Sequence, residues 1–562
     1  MSFLGARNSI SLGIQGMLYA DTGTGASGIV GYFLNKSLRF RSSASAYLSR
    51  TFGAGNRQTW TWSGWVKRGT LGGAQTLFGL SNNAGSAGVF TQAVWDSDQL
   101  SLISFNNSVV EARKTSTALY RDPAAWYHVV CVFDTTNATA ANRLLTYING
   151  VQITSFSSSV DPGQNYSGYI GSTGYPTTIG ELTYSGNLNF FDGELAEVNF
   201  VDGQALAPTS FGAFSTYNQW LPIKYAGTYG TNGFYLPFTN TTSTTTLVAD
   251  SSGNANNWTP NNISLTAGST YDSLTDVPTL TSATVANYAV LNPLTKTGSA
   301  VVVQDANLTF TKSGTAYYNY VSGTIGVSSG KFYWEITQGS TTDLVVGITN
   351  SFYADANNGP GFSSSAYVYI SYNGSKKNNN STIAYGATFQ ALNDVVGVAL
   401  DMDAGTLTFY KNGVSQSQAY SGLTGAYFPY VSDAGGQITL AYANFGQRPF
   451  TYTPPTGFLA LNTYNIAAGT VTTSGTFTGN GTGLTNLNAS QLIAGTVPWA
   501  QLPGAIVTNN ATAITLTGAF AGNAAGLTNL DAADLAVLAD ECIDLGRYDD
   551  AARALDAAER RG

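Results

Sequence analysis

Apolar and polar positions alternate in short runs along most of this chain, and one arrangement of runs occurs twice. Trp126 to Phe133 (WYHVVCVF) is almost wholly apolar; after a spacer, Leu144 to Ile148 alternates and leads into Asn149-Gly150 and Val151. Val395 to Leu400 (VVGVAL), then Leu407 to Tyr410, Lys411, Asn412-Gly413 and Val414 repeat the design. A run apolar on both faces fits a central strand, and an alternating run fits a half-buried one. Asn-Gly accepts the positive φ angles of a two-residue hairpin turn. Each copy therefore predicts a three-stranded meander, and two meanders predict two antiparallel β-sandwiches in series.

The remaining pattern divides the chain. Residues 1–34 are Gly/Ser-rich with scattered apolar positions, too sparse for a core, and are expected to be an attachment arm or disorder. Residues 35–240 form the first predicted sandwich. Within it Thr59 to Val66 alternates so that Trp60 and Trp62 share a face, and Phe190 to Val201 predicts a strand pair turning at Asp192-Gly193. Phe234, Leu236 and Phe238 alternate and are expected to close a sheet. Residues 241–284, rich in Thr, Asn and Ser, read as a linker with some strand. Residues 285–460 form the second sandwich, with Phe332, Trp334 and Ile336 on one face and Tyr452-Thr-Pro-Pro455 ending it by removing backbone donors.

Residues 461–530 contain Phe477-Thr-Gly-Asn-Gly-Thr-Gly-Leu-Thr-Asn-Leu487 and, 43 positions later, Phe520-Ala-Gly-Asn-Ala-Ala-Gly-Leu-Thr-Asn-Leu530. Units this small and Gly-rich bury their apolar residues only by stacking or by winding with identical chains. They predict a fibre-like stalk and a homotrimer. Residues 531–562 change to an Ala/Leu helical spacing interrupted at Gly546, a helical hairpin whose second member presents Tyr548, Ala551, Ala552 and Leu555. The fold class is thus all-β, with a short helical end.

Composition narrows the function classes. Of 562 residues only 10% are charged, against about 25% in an average soluble protein, and the net charge is −8. Aromatic content is 12%. No Lys/Arg cluster of nucleic-acid type exists, Lys376-Lys377 being an isolated pair inside an Asn-rich loop, so binding to nucleic-acid phosphates is not expected. The two cysteines, Cys131 and Cys542, lie far apart and predict no structural disulfide. No run is long enough to span a membrane, and Met1 to Ala20 does not read as a secretory signal. Synthesis in a cytoplasm combined with an uncharged, turn-rich surface fits a particle released by lysis.

The first sandwich resembles the LamG, or concanavalin-like, superfamily on Tyr47-Leu48, Trp60 to Lys67, Trp126-Tyr-His-Val129, Tyr147-Ile-Asn-Gly-Val151 and Phe191-Asp-Gly-Glu-Leu-Ala-Glu-Val198. The second resembles a SPRY domain on Gly330-Lys-Phe-Tyr-Trp-Glu335, Val346-Gly-Ile348, Asp394 to Leu400, Gly405 to Val414 and Tyr427-Phe-Pro429. The pair joined through Gly233-Phe-Tyr-Leu236 and Asp250-Ser-Ser-Gly-Asn254 is similar to tail-fibre and virion-associated proteins of bacteriophages, as is the Gly-Leu-Thr-Asn-Leu repeat. That resemblance implies a jelly-roll-like pair of binding domains on a virion. They would face host-surface polysaccharide or protein, with other virion proteins held by the N-terminal arm and the C-terminal hairpin. A head fibre or shell decoration, and a polysaccharide depolymerase, are the alternatives.

Candidate chemistry is sparse. The lone histidine, His128, sits in an apolar strand and is expected to be a core residue rather than part of a triad. Glu181, Asp192, Glu194 and Glu197 offer carboxylates for glycoside hydrolysis, yet Glu194 and Glu197 should face opposite ways on a regular strand, and all four read as solvent-side. No cofactor is expected. Calcium would find hard oxygen donors at Asp250, Ser252 and Asn254, or at Asp401 and Asp403, where ordinary turn chemistry competes. Sugar binding asks for exposed rings beside uncharged polar groups. Two loops fit: Tyr166, Tyr169 and Tyr175 in the first sandwich, and Tyr353, Tyr372, Asn373 and Lys376 in the second.

Overall fold

The computed structural model describes residues 32–467, apart from 83–87, 185–186, 299, 315–318, 353–358 and 436–438, together with 547–560. Two β-sandwiches follow one another, as the periodicities require. In the first, one eight-stranded sheet places Trp126–Asp134, Thr59–Arg68 and Gly193–Asp202 side by side at its centre. The facing eight-stranded sheet is built around Gln99–Asn106, Val89–Asp96 and Gln75–Ser81. Alternation along Thr59–Arg68 sends Trp60, Trp62 and Val66 into the core between the sheets, where Trp60 stacks on Phe133 at 5.3 Å. Trp65, of opposite parity, packs outside with Trp126 and Trp220.

The second sandwich sets an eight-stranded sheet centred on Lys331–Gln338 and Val395–Asp401 against a six-stranded sheet centred on Leu344–Thr349. Phe332, Trp334 and Ile336 meet Val346, Tyr369 and Phe409 in its core. The domain does not end at Tyr452-Thr-Pro-Pro455: Leu459–Ala460 adds a parallel strand to Lys331–Gln338, and a short helix, Thr463–Ala467, follows.

The repeated meander has one physical cause in both domains. Asn149 and Gly150 take φ of 49° and 78°, and Asn412 and Gly413 take 49° and 79°. In each turn the asparagine bridges back to the start of the long strand. The Asn149 amide and side-chain oxygen bond the backbone of His128 at 2.8 and 2.7 Å, and those of Asn412 bond Val395 at 2.9 and 2.8 Å. Each turn glycine also lies under a ring, Trp220 on Gly150 and Tyr452 on Gly413, where a Cβ would not fit.

Several expectations are corrected. Residues 190–201 do not turn at Asp192-Gly193; Gly193–Asp202 is a single ten-residue strand. Its register shifts between Ala196 and Asn199, with Glu197 at φ 52°. That bulge reverses the parity, so Leu195 and Val198 both enter the core. Glu194 and Glu197 consequently share the outer side rather than opposing each other. Nor are the four carboxylates solvent-side: Glu181, Asp192, Glu194 and Glu197 are all buried. The segment 241–284 supplies strands to the first sandwich, Thr259–Asn261 on Tyr47–Thr51 and Ser273–Leu274 on Ser37–Phe40. Lys376 and Lys377 lie on the strand Ser375–Asn378 rather than in a loop.

A buried polar joint connects the sandwiches. The turn after Val301–Gln304 carries three successive residues with positive φ, Asp305, Ala306 and Asn307 at 58°, 61° and 58°. This left-handed turn aims the Asp305 and Ala306 N–H groups at the Asp192 carboxylate, at 2.7 and 2.8 Å. In return the Asp305 carboxylate accepts from the Ser43 amide (3.2 Å) and hydroxyl (2.8 Å). Asn307 donates to the Arg68 carbonyl at 3.1 Å. Alongside, Lys67 reaches from the first sandwich to Asp276 (2.6 Å), Asn287 (2.7 Å) and the Tyr288 carbonyl (2.9 Å). Arg39 and Arg41 both bond Asp272, at 3.0 and 2.8 Å. Leu274 pairs with the first sandwich through its backbone and enters the core of the second through its side chain.

The C-terminal unit is described at its helix Tyr548–Glu559, where Ala551 and Ala554 are buried and Leu555 is exposed, so the buried line lies beside the expected one. The arm 1–31, the Gly-rich repeat from 468 to 530 and the first predicted helix of the hairpin lie outside the described residues.

Burial, then the charge of Asp305, raises the Asp192 carboxyl from 3.8 to about 6. A carboxyl raised on folding contributes stability that is present below its unfolded value and lost as pH rises through the folded one. From this group alone the fold should be roughly 1–2 kcal/mol more stable at pH 5 than at pH 7.5. Urea melts at the two pH values check this, and Asp192→Asn should flatten the difference. Asp192→Ala leaves the Asp305 and Ala306 N–H groups unpaired and should cost about 3–5 kcal/mol.

Candidate functional site

Tyr166, Tyr169 and Tyr175 come from one excursion between the strands Phe156–Val160 and Pro176–Ile179. Backbone bonds stitch it to two other loops. Asn165 donates to the Thr135 carbonyl (2.8 Å), Gly168 to that of Arg57 (2.9 Å), and Gly55 to that of Gly171 (3.2 Å). Glycine at 171, with φ 87°, permits the last approach. The result is an open cleft of about 530 Å³. Its walls include Arg57, Tyr169, Ser172, Thr173 and Tyr175, and its far rim is Asn82 and Val89.

The three tyrosines play different parts. Tyr166 is half-buried against Phe133 (6.2 Å between rings) and its hydroxyl donates to Glu111 at 2.5 Å. Tyr169 donates to the same carboxylate oxygen at 2.9 Å, which leaves its ring on the cleft wall. Burial, with the Glu111 hydrogen bond and charge, pushes the Tyr169 phenol up to about 12, so it stays protonated at ordinary pH. Tyr175 stands at the rim, 39% exposed. The other carboxylate oxygen of Glu111 accepts from the Asn106 amide at 3.1 Å. Arg57 and Glu111 were not singled out from sequence. Each lies more than fifty positions from the tyrosines, on a different loop or strand, with no local signal linking them.

The second predicted cluster does not converge in this way. Tyr353 lies outside the described residues. Tyr372 is exposed, and the Asn373 side chain accepts from the Ser375 amide at 3.0 Å, an Asx turn. Lys376 is turned back onto its own domain. Its ammonium lies 5.2 Å from the Tyr420 ring and 5.6 Å from that of Tyr385, and it donates to the Ala419 carbonyl.

At the oxygen-rich loop, Asp250 accepts from the amides of Tyr235, Ser252 and Asn256 (2.9, 2.8 and 2.8 Å) and from the Ser252 hydroxyl (2.8 Å). Asn254 donates to the carbonyls of Gly230 and Gly233. Asp250, Ser252 and Asn254 thus form a staple that ties this loop to Gly233-Phe-Tyr-Leu236, and the Asp250 oxygens are turned to N–H and O–H donors. Asp401 similarly accepts from the amides of Asp403 and Ala404 and pairs with Lys331. Among the described residues no group of three or more His, Cys, Asp or Glu is placed to hold a metal ion.

His128 is buried between Ser63 and Trp220. Indole N–H is only a donor, so the 2.9 Å bond from Trp220 makes Nδ1 the acceptor. Nε2 therefore carries the proton and donates to Ser63 Oγ at 2.8 Å. A histidine donating to serine cannot take that serine's proton, and Ser63 is itself fully buried. Burial pushes the imidazole down to about 3.

The chain matches the concanavalin A-like lectin/glucanases superfamily over residues 42–210 and the SPRY domain over residues 331–445. It thus carries a LamG-like domain followed by a SPRY domain, and both are classes that typically bind rather than catalyse. Among solved structures, the SPRY domain of human HERC1 is 20% identical, with 27% of this chain and 96% of that one covered at a TM-score of 0.24. The TRIM65 PSpry domain is 13% identical, with 28% and 92% covered and the same TM-score of 0.24.

With its folded value near 3, His128 should show no titration of its ring resonances between pH 5 and 8. A chemical-shift midpoint near 6.5 in an NMR titration would contradict the buried neutral assignment.

Proposed function

We propose that this protein is a tail fibre of a bacteriophage particle, made in the host cytoplasm and carried on the virion, that attaches to host-surface polysaccharide through the cleft of its first sandwich. The observation that supports it best is the cleft itself. Tyr169, part-buried against the core, and Tyr175, exposed at the rim, border it beside Ser172 and Thr173. Pyranose rings carry apolar C–H faces edged by hydroxyls, and such a surface meets both needs. The volume of about 530 Å³ falls in the roughly 300–1,000 Å³ range of small-ligand sites.

The place on a phage fibre draws on the resemblance of the linked domains and of the Gly-Leu-Thr-Asn-Leu repeat to fibre sequences. Trimerisation through that repeat would hold three weak sites together, and effective concentration would turn weak contacts into firm attachment. The polar joint between the sandwiches suits this role, because a binding domain on a fibre must resist being turned aside.

Tyr175→Ala, at an exposed position, should weaken binding of purified host polysaccharide about tenfold, roughly the 1–2 kcal/mol of one ring contact, without lowering the melting temperature. Light scattering on the full chain should give three times the 58.9 kDa chain mass. Binding without loss of polymer viscosity is expected; a fall in viscosity on mixing would move the protein to the depolymerase class.

A further inference from the structure

From the charge balance of the cleft, resting on the glycan reading above, we infer that it selects saccharides bearing a carboxylate, with Arg57 as the residue that reads the acid. The protein as a whole carries −8, yet no carboxylate lines this cleft among the described residues. Two acids stand behind the lining and both are already met by donors: Glu111 by the hydroxyls of Tyr166 and Tyr169 and the Asn106 amide, and Asp202, beneath Gly55, by the backbone amides of Asn56 and Asn232. Arg57 is the one charged side chain on the described wall.

Its guanidinium is oriented, and no carboxylate among the described residues pairs with it. Nε donates to the Gly168 carbonyl at 2.7 Å and Nη2 to the Ser167 carbonyl at 3.4 Å, and neither partner carries a charge. Those carbonyls occupy the side of the fork formed by Nε and Nη2. Among the described residues, the end formed by Nη1 and the second hydrogen of Nη2 meets no partner and is the end offered to a ligand. A planar carboxylate accepts two parallel N–H bonds from such an end-on fork, a geometry a neutral hydroxyl cannot reproduce. The backbone clasp fixes the fork before binding, so little side-chain freedom is lost when the acid arrives.

The site therefore has two parts with separate tasks. The Tyr169 and Tyr175 rings take the apolar face of a sugar ring, and Arg57 takes a carboxylate on that ring or the next. Uronic acids and sialic-type acids carry such a group.

The full-length protein would be titrated calorimetrically with oligosaccharides containing uronic or sialic acid, each beside its carboxyl-reduced counterpart. The acidic forms should bind at least tenfold tighter, Arg57→Gln should erase the difference, and Arg57→Lys should keep only part of it. The wild-type preference should also shrink as salt rises from roughly 50 to 500 mM, a readout that does not depend on the variants folding. Equal affinity for acidic and reduced forms, or a preference untouched by both salt and Arg57→Gln, would overturn the assignment to Arg57 while leaving glycan binding intact. Failure of every saccharide, acidic or reduced, would remove the glycan reading and this inference with it.

Discussion

Two carboxylates, each bonded by donors from the other domain, join the two sandwiches of this protein. Asp192 takes the amides of the Asp305 turn, and Asp305 takes the amide and hydroxyl of Ser43. A carboxylate removed from water is costly unless its oxygens are met by hydrogen bonds of good geometry. Ser42 and Thr70 serve Asp192, and Thr309 serves Asp305, from within each acid's own domain, so separating the domains would take from Asp192 both amides of the turn and from Asp305 both groups of Ser43. The left-handed turn that aims the amides is itself unfavourable for Asp305 and Ala306, and persists only because the joint holds it. The joint between the domains is thus built largely on polar chemistry, with Leu274 as an apolar member.

That arrangement accounts for an unusual feature of the chain. Charged residues are few, yet many are buried: Arg39, Lys67, Asp192, Glu194, Asp272 and Asp276 are each at most 2% exposed. They gather where 241–284 runs back between the sandwiches. The segment read as a linker acts as a shared edge. It gives strands to the first domain, Leu274 to the core of the second, and Asp272 and Asp276 to the cations between them. A good share of the chain's few charges is thus used inside, at the joint, rather than on the surface.

The cleft uses the same economy. Glu111, Tyr166 and Tyr169 neutralise one another's polar atoms just behind the wall. In front of them the described wall carries Tyr175, Ser172, Thr173, Asn82 and Val89 beside the Arg57 guanidinium, which is clasped by carbonyls. The loops that form it are pinned to their neighbours by backbone bonds, Asn165 to Thr135, Gly168 to Arg57 and Gly55 to Gly171.

Much of the fold was legible in the chain because its cues are local. Period-two alternation placed Trp60 and Trp62 together in one core and Phe332, Trp334 and Ile336 in the other, and both Asn-Gly turns adopt the positive φ angles that pair permits. The sequence by itself determined two sandwiches, their meanders and the tyrosine-rich loop. Tertiary structure alone decided that Glu194 and Glu197 share a side, since one bulged residue reverses parity without a local signature. It alone turned Lys376 inward and Asp192 into a clasp. A strand's period is written in neighbouring residues, whereas the partner of a charge, or the burial of a carboxylate, depends on which distant segment folds against it.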